Sequence, residues 1–169
     1  MVEMLEKNCI FTKITYMALP NVFTTEVEET LIARINQLTP ETRPQWGKMS
    51  VSQMLAHCCV SYEYVFEEDK YKKPNFFMGL ILKAFVKGNI VNEQPYKQGL
   101  PTAPDFIIKD DKDFEQEKQR LVGFIRKTRQ MGESYFDGKP SHSFGVLNKT
   151  EWNNMFYKHL DHHLKQFGA

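Results

Sequence analysis

Four separated segments of this chain repeat their apolar residues at a period near 3.6, and only "CIFTKITY" near the start hints at alternation with period two. A helix with one apolar stripe must bury that stripe against other helices, so the expected fold is all-α, a bundle of four main helices with one extra short helix. The first segment opens at Thr25, with Glu28 placed as a capping-box partner. It presents Val27, Leu31, Ile32, Ile35 and Leu38 on one face and stops before Pro40. The second begins at Ser50, with Gln53 as box partner and Met49 poised to staple onto Met54, and runs to about Glu68. A third spans about Asp111 to Met131, turning Phe114, Leu121, Val122 and Ile125 inward, with Gly132 ending it. The last is capped by Asn148, with Glu151 at the box position and Leu147 set against Trp152. A shorter, very apolar helix is expected from about Asn75 to Lys87, closed by a left-handed Gly88. Residues 89–110 carry Pro95, Gly99, Pro101 and Pro104 and read as a long irregular connection, the kind that often borders a functional site.

A chain of 169 residues fits one domain with a sizeable core. Its net charge of +1 supplies no basic surplus for nucleic acid or an anionic membrane surface, and neither partner is expected. The longest apolar run, Phe76 to Leu82, is far short of a membrane span. The N-terminal residues place Glu3, Glu6, Lys7 and Lys13 where a secretory signal needs continuous apolar character, so a cytoplasmic protein is expected. Cys9, Cys58 and Cys59 then read as reduced thiols, the last two diverging from adjacent helical positions. The helix around Phe76 to Val86 is apolar on nearly every side, which suits a lid, a core segment or the face of a homodimer.

Three of the five histidines crowd into "HLDHHLKQ" at the end of the last segment. Trp152, Met155, Phe156, Leu160 and Phe167 define its inward stripe, and His159 and His163 fall inside that stripe, one turn apart. Two buried imidazoles so spaced can converge on one cation, and burial favours the neutral form a metal requires. They can equally be core histidines satisfied by hydrogen bonds. His57, on a stripe with Met54, Cys58, Ser61 and Val65, can face them from a neighbouring helix as a third ligand.

"WGKMSVSQMLAHC" (Trp46 to Cys58) and "HLDHHLKQFG" (His159 to Gly168) resemble the two signature segments of the DinB/YfiT-like metalloenzyme superfamily, in particular a branch known only as a domain of unknown function. "LPTAPDF" and "FGVLNKTEW" extend the resemblance from about Met17 to the end, leaving residues 1–16 as an N-terminal extension and 17–169 as the bundle domain. The resemblance implies up-down-down-up connectivity. It also implies a divalent metal, nickel or zinc, held by His57, His159 and His163. Relatives act on low-molecular-weight thiols by S-transfer or isomerisation, and others are linked to hydrolysis. The implied function is a metal-dependent enzyme activating a low-molecular-weight thiol or water toward a small-molecule substrate. The competing reading is a non-catalytic stress-response or binding bundle that keeps the histidine site; the presence of all three histidines favours the enzyme, although no obvious carboxylate stands beside them to act as base.

His142, in "PSHSFG", is a candidate proton donor at the mouth of the bundle, as well as an ordinary loop histidine. His162 points to the edge of the stripe and Asp161 opposite it, toward solvent. Cys58 is chemically suited to ligation but is the kind of small residue that packs in a helix interior. Trp46 and Gly47 open the second helix, as packing over the bundle end or as closure of the pocket.

Overall fold

The computed structural model describes residues 18–169. The N-terminal extension, with Cys9 and "CIFTKITY", lies outside the described residues. The described chain is mostly helical, with long helices α1 (Thr25–Asn36), α2 (Val51–Phe66), α5 (Phe114–Phe136) and α6 (Lys149–Gln166). Between α2 and α5 come α3 (Phe76–Ile81), a π-helical stretch Leu82–Val86, and α4 (Lys87–Val91). A two-stranded hairpin, β1 (Pro140–Ser141) against β2 (Gly145–Val146), precedes α6; no period-two signal announces strands this short. None of the described helices is long and apolar enough to cross a membrane.

α2 lies along α5, α1 packs on α5, and α6 packs on α2, α4 and α5. The stripes meet at Leu31, Met54, Leu121 and Trp152, one from each long helix and each almost wholly buried. The capping boxes at Ser50 and Asn148 form as expected: each side chain accepts from the backbone N–H three residues on, and Gln53 and Glu151 reach back. α1 differs. Thr24, not Thr25, is its cap, and Glu28 instead accepts from Arg129 of α5 at 2.6 Å, because the carboxylate faces the packed side of the helix. Asp161, expected to be solvated, receives Arg34 of α1 at 2.9 Å and Lys165 at 2.7 Å, and Arg34 also donates to the Ala169 carbonyl. These bonds tie α1 to the end of α6.

Two helix ends depart from expectation for identifiable reasons. Gly132 does adopt positive φ (72°), but α5 resumes beyond it to Phe136, whose fully buried ring packs on Trp152 and Phe156. Gly88 does not terminate its helix. The Lys158 ammonium of α6 donates to the carbonyls of Asn89 and Asn92 at 2.8 Å each, supplying a C-terminal cation that holds the backbone helical to Val91. One face of α3 and the π stretch stays open, with Phe76, Phe77 and Phe85 each about three-quarters exposed.

Candidate functional site

α2 and α6 bring His57, His159 and His163 together, with one potential ligand atom from each lying within 4.8 Å of the others. The Nε2 atoms of His57 and His159 are 2.9 Å apart. Ligands about 2.0–2.1 Å from a tetrahedral ion stand roughly 3.3 Å from one another, so small side-chain adjustments suffice to seat one cation among the three. Helical geometry explains the gathering: His159 and His163 stack one turn apart, and α6 lies on the face of α2 that carries His57.

Each ring is held through its other nitrogen. His57 Nδ1–H donates to the Phe106 carbonyl at 2.8 Å, and His163 Nδ1–H donates to Gln166 Oε1 at 2.8 Å, which leaves both Nε2 atoms as bare lone pairs. His159 Nδ1 meets the Ser61 hydroxyl at 2.8 Å. A carbonyl can only accept, so between His57 and His159 the proton must come from His159 Nε2. Ser61 then donates to His159 Nδ1. A hydroxyl serves equally as acceptor, so the same contact supports the opposite tautomer, in which all three Nε2 lone pairs face inward.

Burial sets the charge state. It lowers the pKa of all three histidines, opposed at His57 by the Phe106 bond, deepened at His159 by the neighbouring imidazoles, and bringing His163 down to about 3. His159 keeps some exposure through the adjoining cavity, yet its ring nitrogens lie deep in the fold. Three neutral imidazoles at pH 7 are the donor set a divalent ion needs.

The other candidates fall elsewhere. His162 lies beside the cluster without joining it, its ring edge-on to Trp46 and His163. Cys58 points its thiol to Met54 Sδ in the core, and Cys59 is pushed up to about 12 by burial, so neither offers a thiolate. His142 reaches the same cavity from the β1–β2 hairpin, stacked on Tyr64 at 3.9 Å, with Nδ1 on the Ser143 hydroxyl and Nε2 buried without a partner. Burial lowers its pKa as well.

Sequence reasoning missed the supports. Phe106 sits on a short 3₁₀ turn, Pro104–Phe106, within the irregular connection, pinned by Asp105 accepting from Tyr64 at 2.8 Å. Gln166, in the motif itself, bridges His163 to the Trp46 carbonyl, to which its Nε2 donates at 2.7 Å. Gly47 allows this approach: its φ is +84°, and an added Cβ would stand 2.6 Å from Gln166 Nε2. Gly47→Ala is expected to destabilise the protein by about 1–3 kcal/mol through backbone strain and displacement of Gln166. A urea unfolding midpoint unchanged from wild type would contradict that role.

The cluster lines a cavity of about 820 Å³ whose other walls come from α2, the π stretch, α4, the connection, the hairpin and α6. No curated protein and no solved structure matches the chain. A family model described as Protein of unknown function (DUF1569) matches residues 21–169, a span that contains all three histidines and their supports, and the chain belongs to that family.

Proposed function

We propose that this protein is a metal-dependent enzyme of the DinB/YfiT-like superfamily, with His57, His159 and His163 as ligands of a divalent ion, nickel or zinc. The carrying observation is the convergence of three neutral imidazoles whose Nδ1 atoms all have oxygen partners. The long passage from α2 to α5, residues 67–113, supports up-down-down-up connectivity, since helices packed in parallel need such a crossover. A divalent ion in this site would supply Lewis acidity, lowering the pKa of a thiol or water brought to it.

The chain's own groups do the rest. Phe106, Ser61 and Gln166 orient the rings, and the cavity gives a small molecule access to them. His142, neutral and seated against Tyr64, is the group placed to hold or pass a proton at the cavity margin. Protein purified without an affinity tag is expected to carry about one divalent ion per chain, and the His57→Ala, His159→Ala, His163→Ala triple variant none. Stoichiometric metal retained by that variant would falsify the assignment. A thiol-transfer and hydrolysis screen of the loaded wild type then separates an enzyme from a non-catalytic bundle that keeps the site.

A further inference from the structure

The cavity beside the histidines is notable for what its walls lack. Among its described lining residues there is no aspartate, glutamate or arginine, and the only lysine, Lys97, is exposed. Leu82, Val86 and Ile90 of the π stretch and α4 form one continuous apolar wall, and Leu100, Phe144 and Met155 contribute others. At about 820 Å³ the space exceeds what a water or a small polar thiol fills and suits a ligand of drug size. Multiply charged molecules would leave their charges unpaired against these walls, at a cost that neutral apolar ones avoid.

We propose that the substrate class is a bulky apolar molecule carrying one metal-binding donor group, its apolar body lying along Leu82, Val86 and Ile90 and its donor directed to the histidine end. The donor half of this statement rests on the metal reading above; the apolar half rests on the walls alone. A low-molecular-weight thiol with several charges, of the glutathione kind, is therefore a poor fit, whereas an acyl or aryl chain with a single thiol, carboxylate or hydroxamate is a good one.

Calorimetric titration of zinc-loaded and metal-free protein with butano-, hexano- and octanohydroxamic acid, and with glutathione, tests both halves separately. Affinity is expected to rise about fourfold per added methylene in both protein forms, the equivalent of burying one CH₂. The zinc-loaded form is expected to bind every member tighter by a common factor, with glutathione weaker than octanohydroxamate. A series flat in chain length, or glutathione binding more tightly than octanohydroxamate, overturns the apolar class whatever the metal does. A rising series with no difference between loaded and metal-free protein leaves the apolar class standing and removes the metal reading. Val86→Asp, at a partly exposed position, should weaken octanohydroxamate tenfold or more while metal content and the butano- affinity hold; Leu82→Asp, partly exposed on the same wall, is the second variant should the first fail to fold. An unchanged chain-length slope in the folded variants would show that the chain does not lie on this wall.

Discussion

Metal-free protein is expected to lose several kcal/mol of stability between pH 7 and 4.5, before ordinary carboxylates titrate. His163 titrates near 3 in the fold and near 6.5 when unfolded, because burial and the neighbouring His57 disfavour its cation. A depressed folded pKa contributes stability that is full above the unfolded value and is lost as pH falls toward the folded one. For His163 alone this comes to about 2–3 kcal/mol by pH 4.5 and up to roughly 5 near pH 3. His159 and His57 shift in the same direction, so their losses fall in the same window. The side chains facing His163 are His57, His159, His162 and Gln166, none of them acidic; only the bond to Gln166 favours the protonated form, and burial with the neighbouring imidazoles outweighs it. Burial alone would raise Glu63, but bonds from Lys70 and Tyr71 and the charges of Lys70 and Arg120 outweigh it; its lowered pKa adds instability only below about pH 4.5. Urea midpoints in chelator at about pH 7, 5.5 and 4.5 measure the slope, and His163→Leu should make it visibly shallower. Equal slopes in wild type and variant would mean that His163 is not held neutral, and the proposed ligand set would lose its main physical support.

Helix positions were legible because caps and stripes are local signals. Ser50 with Gln53 and Asn148 with Glu151 each set a boundary from within four residues. The same local rule failed at Thr25 and Glu28, where a neighbouring threonine took the cap and tertiary packing claimed the carboxylate for Arg129. Gly88 failed for a similar reason, since the cation that extends its helix comes from Lys158, seventy residues along the chain. The three histidines were legible through spacing on two stripes and through the signature segments. Their partners divide by distance. Ser61 lies on the same stripe as His57, one turn on, but no pattern marks a serine as a histidine's partner. Phe106 acts through a backbone carbonyl, which side-chain identity does not encode at all. The cavity was illegible too, because its walls are assembled from segments far apart in the chain, α2, the π stretch with α4, the irregular connection, the hairpin and α6, and no local pattern says that these meet.

Trp152→Ala is expected to be the most damaging single substitution in the core, at about 3–5 kcal/mol, a large part of the 5–15 kcal/mol that stabilises a domain of this size. Trp152 is essentially buried, with its ring 5.5 Å from those of both Phe136 and Phe156, and its Nε1 donates to the Lys139 carbonyl at 3.3 Å. Truncation removes the largest of the fully buried side chains where α5, α6 and the hairpin meet, and rigid aromatic neighbours cannot collapse to fill the gap. The hydrogen bond is the lesser loss, because the Lys139 carbonyl keeps a second donor in the Leu147 backbone N–H at 3.2 Å. Trp152→Phe should therefore cost well under half as much as the alanine change, retaining most of the ring volume. Trp46→Ala serves as the contrast, since that ring is only partly buried at the cavity edge, and its loss should amount to about 1 kcal/mol. Because Trp152 sits on α6 two turns before His159, the alanine variant should also loosen the histidine cluster, seen as weaker metal retention at temperatures where the protein is still folded. A Trp152→Ala midpoint closer to wild type than that of Trp46→Ala would show that the aromatic cluster around Phe136 does not anchor α6, and with it the registration of His159 and His163 against His57.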